Sequence, residues 1–271
     1  MEILGYIGAI LMGLSLGLIG GGGSILTVPI LVYLFSVDAV LATAYSLFIV
    51  GLTSLVGSVS HMRLGNIHWR TAIVFGVPSI LAVYATRSWL VPAIPDPIVT
   101  FGSTMVSKPI GILMLFALIM VAAAYSMIRN QKVPKGPDAP SEIALTFNYP
   151  LIFVEGIVVG TITGIVGAGG GFLIIPALVL LAKLPMKQAV GTSLIIIAAK
   201  SLIGFTGDLK GGEVIDWKFL LVFSAIAIGG IIAGSILSKR IPNEKLKPAF
   251  GWFVLIMGIY IIGRELSHMA P

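Results

Sequence analysis

The chain has 271 residues, 57% of them hydrophobic and 10% charged, with a mean hydropathy of +1.07 and no cysteine. Soluble domains carry about 25% charged residues, so this composition excludes a soluble enzyme, a disordered segment and a disulfide-stapled secreted domain. The net charge of +6 is spread over short stretches between apolar runs, with no basic stripe or RNA-binding signature; that excludes nucleic acid as a partner and fits the Lys/Arg excess at the cytoplasmic face of membrane proteins.

In chain order the apolar runs are 3–20, 24–36, 39–60, 70–91, 109–129, 149–167, 171–182, 188–206, 217–238 and 248–264. The first has Glu2 and no Lys or Arg before it and no A-x-A site after it, so it is expected as a retained helix rather than a cleaved signal. A bilayer-crossing helix needs about 20 apolar residues. The runs 24–36 and 171–182 fall short of that, at about 18–20 Å if helical. Each follows a glycine cluster, Gly20-Gly21-Gly22-Gly23 and Gly167-Ala168-Gly169-Gly170-Gly171, so their helices are expected to begin at Ser24 and Gly171. The stretch 92–108, with Pro92, Pro95 and Pro97, is expected as a loop or a partial helix. Pro134, Pro137, Pro140 and their charged neighbours mark 130–148 as a linker between residues 1–129 and 149–271.

The two halves repeat. A shift of 147 positions places Gly17, Gly20, Gly22, Gly23, Leu26 and Pro29 on Gly164, Gly167, Gly169, Gly170, Leu173 and Pro176, and Ala42, Ser46, Ser54 and Gly57 on Ala189, Ser193, Ser201 and Gly204. One further residue of offset aligns Ile67-His68-Trp69 with Ile215-Asp216-Trp217. Each half has five segments, or three spans if the short pair is re-entrant. Both numbers are odd, so the second half must lie upside down relative to the first. Arg63, Arg70, Arg129, Lys132, Lys135, Lys183, Lys187, Lys239, Arg240, Lys245 and Lys247 then share one side, against Arg87, Lys108, Lys210, Lys218 and Arg264 on the other. The asymmetry puts the linker in the cytoplasm and both termini outside. The expected fold is an all-α polytopic membrane protein built from two inverted-topology repeats, with short Gly-broken helices meeting near the bilayer midplane.

Three groups of residues suit a ligand. Glycine-rich turns let backbone N–H groups approach an anion, and a helix beginning there aims its positive dipole end at it. Gly20, Gly21, Gly22, Gly23 and Ser24, with Gly167, Gly169, Gly170 and Gly171, are therefore candidate substrate ligands; the bland alternative is close helix packing. Lys200, deep in an apolar run, is expected to face a wet cavity or the protein interior, because a charge there costs at least about 2.5–3.5 kcal/mol. It is either a counter-charge for an anion or a partner of Glu155 or a carbonyl. Hydroxyls form the third group: Tyr45, Ser46, Thr192 and Ser193 as candidates, with Thr43, Thr53 and Ser201 behind them. Membrane Ser and Thr more often bond their own backbone. His61, His68 and His268 have no metal-ligand spacing, so no metal and no cofactor is expected. Glu155 and Asp208 are the residues a proton-coupling role would use.

The doubled Gly-Gly-Gly-x-x-x-x-x-Pro pattern, Ala189-Val190-Gly191-Thr192-Ser193-Leu194, and Gly-x-Ile-x-Trp after the third segment resemble the TauE/SafE family of sulfite and organosulfonate exporters. The resemblance covers residues 5 to 264. It departs at Ala44-Tyr45-Ser46, where the second half has Gly191-Thr192-Ser193. The resemblance implies a secondary transporter of the cytoplasmic membrane, not an enzyme, that exports small sulfur oxyanions such as sulfite, sulfoacetate or related organosulfonates. Its partners would be that small anionic substrate and the lipid bilayer. A carrier of another small anion, or an anion channel with the Gly-rich turns as filter, remain as alternatives.

Overall fold

The computed structural model describes residues 2–101, 104–129, 149–180, 182, 184–209, 215–237 and 243–269. The expected linker, 130–148, lies outside these. In hydrocarbon a backbone must satisfy its own amides, and a single segment does so only as a helix. The apolar runs accordingly become α1 (Glu2–Ile19), α2 (Thr27–Leu34), α3 (Ala39–Arg63), α4 (Trp69–Ala85), α5 (Val91–Ala93), α6 (Lys108–Arg129), α7 (Tyr149–Val166), α8 (Gly171–Leu180), α9 (Met186–Asp208), α10 (Trp217–Leu237) and α11 (Asn243–Met269). A π-helical turn, Thr86–Leu90, carries α4 into α5 without a break, so Trp69–Ala93 is one span. Among the described residues six spans are long and apolar enough to cross a bilayer: α1, α3, α4 with α5, α6, α9 and α10. Ile3, Leu81, Trp89, Leu118 and Ile256 are each more than half exposed on the outside of the bundle. Hydrocarbon covers such a surface favourably where water does not. The chain is a multi-pass membrane protein.

Capping residues start several helices where the sequence turns polar. Asp38 Oδ1 accepts from the N–H groups of Val40 (2.8 Å) and Leu41 (3.3 Å) at the head of α3. Asp216 Oδ1 accepts from Phe219 N (2.9 Å) at α10, and His68 Nδ1 from Thr71 N (3.3 Å) at α4. Two expectations are corrected. The stretch 92–108 is neither an open loop nor a partial helix throughout: β-prone Val99–Phe101 (β1) pairs antiparallel with Thr104–Val106 (β2), Thr100 opposite Met105. The first short helix does not begin at Ser24, because a 3₁₀ turn, Gly21–Leu26, already winds through the glycine cluster before α2. Gly20, at φ 80°, makes the reversal that lets it do so.

The first short helix folds back along α1. Phe35 meets Tyr6 edge-on with ring centroids 5.2 Å apart, and Ile30 packs on Gly8. The chain therefore leaves α2 at the level where α1 began, which is the geometry of a re-entrant hairpin with the glycines at its tip.

Packing between helices repeats with the sequence. The broadest contacts of α1 and α7 with spanning helices are to α10 and α4, respectively, while α3 lies on α9 and α6 on α11. Gly13 of α1 abuts Ala227 and Gly230; its counterpart Gly160 abuts Ser79 and Ala82, the counterparts of those two. Gly57 sits under Ile231 and Leu194, and Gly204 under their counterparts Val83 and Leu47. Small residues at these positions let the helix backbones close together where lipid offers no hydrophobic drive for association. Glycine at the same two positions of each half does the same job twice.

Candidate functional site

The two glycine tips meet. A methyl group built on Gly21 would overlap the backbone of Gly171, and one on Gly171 would overlap Gly21. On either side of this contact Gly20 packs on Val190, and its counterpart Gly167 on Thr43, the counterpart of Val190. Gly22 belongs to the 3₁₀ turn, and Gly23 lies against the α1 backbone at Met12 and Leu16. At the second tip Gly167, Gly169 and Gly170 have φ of 72°, 63° and 71° before α8 starts at Gly171. Residues with a side chain rarely adopt such values, so the turn needs glycine.

Lys200 lies at this second tip. It is fully buried, and its Nζ donates to Thr163 Oγ1 at 2.9 Å. A Cβ on Gly170 would stand 2.7 Å from that Nζ, so the ammonium rests directly against the glycine backbone ahead of α8. Thr163 Oγ1 in turn donates a hydrogen bond to Gly160 O (3.2 Å). Glu155 is not the partner of Lys200, and among the described residues no carboxylate lies within ion-pair distance of it. A buried Lys amine with one neutral acceptor, beside a helix N-terminus in a low-dielectric interior, is a group whose protonated form an anion would stabilise.

The hydroxyls divide by what they bond. Ser24 donates to Gly21 O and Ser193 to Val190 O, each at 2.8 Å, and Thr43 and Thr53 also bond their own helices. Ser46 is buried with its Oγ unpartnered. Tyr45 and Thr192 are committed to the interhelical loops: Tyr45 Oη accepts from Asp216 N (2.8 Å), and Thr192 Oγ1 from His68 N (2.9 Å). These are counterpart residues serving counterpart loops, through two unlike side chains.

Two features stand outside the candidates that sequence reasoning supplies. Thr163 has a signal in the sequence: the repeat breaks at Thr163/Leu16 and at Lys200/Thr53 together, and the two breaks are one interaction. Arg87, which its sequence context places among the loop charges, is fully buried in the π turn, its Nη1 3.3 Å from Asp208 Oδ1, which also gives Asp208 a partner. The apolar run resuming at Trp89-Leu90-Val91 is the sign that the helix continues through it.

A bundle of apolar spans, with two glycine-rich tips meeting inside it, has the build of a membrane transporter. Residues 6–261 match the family described as "Sulfite exporter TauE/SafE", and the chain belongs to that family of membrane transporters. A "Probable membrane transporter protein" of Xylella fastidiosa (strain 9a5c) is 29% identical over 96% of this chain and 94% of its own length. One from Methanocaldococcus jannaschii is 27% identical over 93% and 94%, and one from Bacillus subtilis (strain 168) is 24% identical over 96% and 98%. No solved structure matches the chain.

Proposed function

We propose that the chain is a secondary transporter that exports small sulfur oxyanions, such as sulfite, sulfoacetate or related organosulfonates, across the cytoplasmic membrane. The observation that carries the reading is the buried ammonium of Lys200 beside Gly170, with a neutral hydroxyl as its partner and the start of α8 next to it. An anion completes that arrangement: it supplies the missing counter-charge, accepts the remaining ammonium protons and takes N–H groups from the first turn of α8. Gly20, Gly21, Gly22 and Gly23 with Ser24 form the opposite wall in this reading. Gly167, Gly169, Gly170 and Gly171 form the near wall, and Ser46 and Ser193 are hydroxyls that can turn toward the ligand. Tyr45 and Thr192 fix the loops that hold the wall.

The duplicated packing supports two halves, 1–129 and 149–271, of inverted topology, and the Lys/Arg asymmetry of the sequence favours both termini outside and the 130–148 linker in the cytoplasm. In such an arrangement the tips lie near the midplane. One half rocking against the other then opens the site to each side in turn, which is alternating access. In this reading the flux follows an ion or substrate gradient.

Counterflow in proteoliposomes tests this. Unlabelled sulfite or sulfoacetate inside should drive transient accumulation of labelled sulfite, saturably, while acetate and chloride should not. Flux that rises linearly with concentration and shows no counterflow would point to a channel. Counterflow driven by acetate alone would sink the sulfur assignment.

A further inference from the structure

The ion pair between α4 and α9 leaves the most useful part of its arginine unused. Arg87 is fully buried, and Asp208 touches it only at Nη1, at 3.3 Å, longer than the 2.7–2.9 Å of a firm charge-assisted bond. Nε and Nη2 are buried without a partner, and so is Asp208 Oδ2. In a guanidinium Nε–H and Nη2–H run parallel along one edge, and that edge is the one that grips two oxygens of a carboxylate, sulfonate or phosphate. The Ser88 hydroxyl is also buried and unpartnered. It faces the same stretch of α9: a Cβ on Gly207 would lie 3.0 Å from Ser88 Oγ and 2.9 Å from Arg87 Cβ. Three buried donors thus stand against one spare acceptor, where Gly207 lets α9 approach Arg87 and Ser88 closely. The Asp208 side chain is 16% exposed, so the cluster communicates with the surface where α9 ends.

The other half lacks this cluster. The counterpart of Asp208 is His61 and that of Arg87 is Ser235. Between Gly57, Ser60, Ile231 and Ser235 there is instead a partly open cavity of about 130 Å³. Where one half keeps an empty notch, the other fills it with a guanidinium. Hydrophobic packing alone gives no reason for that difference, since a buried ion pair is no more stabilising than well-packed apolar groups.

We propose that the Nε–Nη2 edge of Arg87 and the Ser88 hydroxyl form a second anion station, which takes a small oxyanion with two coplanar oxygens, and that Asp208 is the tethered competitor holding the guanidinium when the station is empty. The station lies eight residues along α9 from Lys200, about 12 Å at helical rise, so the two stations are separate. The station rests on the Arg87 geometry. That its ligand is the transported anion rests on the function proposed above.

Titration calorimetry with sulfite on the detergent-purified full chain separates the two. Wild-type protein should show a strong and a weak site, and Lys200→Ala should keep only the weak one. In the Lys200→Ala background, Arg87→Gln combined with Asp208→Asn should abolish the remaining heat. That pair is chosen because it leaves no orphaned charge to unfold the protein. Arg87→Lys keeps the ion pair but has no two-donor edge, and should weaken the site about tenfold. Asp208→Asn alone should tighten it by a similar factor. The station is overturned if Lys200→Ala removes all binding, or if the residual binding ignores both Arg87 variants; either result leaves the function proposed for the glycine site standing. No heat with wild-type protein would overturn both.

Discussion

The two hairpin tips share a backbone plan and differ in charge. At the first, Gly20 turns the chain, a 3₁₀ segment follows, and the positions that the repeat pairs with Thr163 and Lys200 are Leu16 and Thr53. At the second, Gly167, Gly169 and Gly170 turn it, a full α-helix follows, and the corresponding positions are Thr163 and Lys200. Duplication explains what is common: close-packing glycines, loop-locking hydroxyls, helix partners. It leaves the polar pair at one tip unexplained, and packing does not need it. In the proposed reading, the symmetric parts of the molecule build the frame and the asymmetric parts select the anion.

Neutralising the difference should have the largest effect. Lys200→Ala should weaken sulfite binding about 100-fold, the scale of a lost hydrogen bond to a charged group at the strong end of its range, read by calorimetry. Lys200→Met should add a second result. Replacing an uncompensated buried cation with an apolar chain of similar length should raise the ligand-free melting temperature even though binding is lost. A lower melting temperature would show that Lys200 serves the fold.

What is common to the two tips is tested next. Gly21→Ala and Gly171→Ala should each cost about 1–3 kcal/mol by overpacking the point where the tips meet, visible as a fall in melting temperature. Gly229→Ala, in α10 with open space around it, should stabilise by about 0.5–1 kcal/mol through helix propensity. Equal responses at the three positions would dissolve the tip contact. The smallest effects belong to the loop locks: Tyr45→Phe and Thr192→Val should each cost about 0.5–1.5 kcal/mol and leave sulfite affinity within twofold. A selective loss of binding in either would move that hydroxyl into the ligand site.

Much of this is legible in the sequence, because membranes make backbone rules strict. Run lengths mark the spans, and the two short runs behind glycines mark the irregular helices. The internal repeat pairs Gly20 with Gly167 and Ser46 with Ser193 from residue order alone. Lys200 stands out because a cation in an apolar run must be held by the protein interior or by water. Other features depend on side-chain partners that spacing does not encode. Tyr45 and Thr192 look like ligands for an oxyanion, yet their oxygens accept from loop amides 171 and 124 residues away. Arg87 looks like a loop charge because its neighbours Thr86 and Ser88 are polar; the π turn that carries it inward has no signature in residue type. Ser24 looks like a helix start, but three consecutive glycines have enough freedom to wind a 3₁₀ turn ahead of it.

The central claim is that the charged tip, and not the neutral one, holds the anion. Thermal unfolding of wild type, Lys200→Ala and its repeat mate Thr53→Ala, each with sulfite, sulfoacetate, sulfate, acetate and chloride, tests it most directly. At 100 times its dissociation constant a ligand stabilises by about 2.7 kcal/mol. Sulfite or sulfoacetate should give that stabilisation in wild type and Thr53→Ala, and at the same ligand concentration about 0.4 kcal/mol in Lys200→Ala. Undiminished stabilisation in Lys200→Ala, or equal loss in both variants, would contradict it.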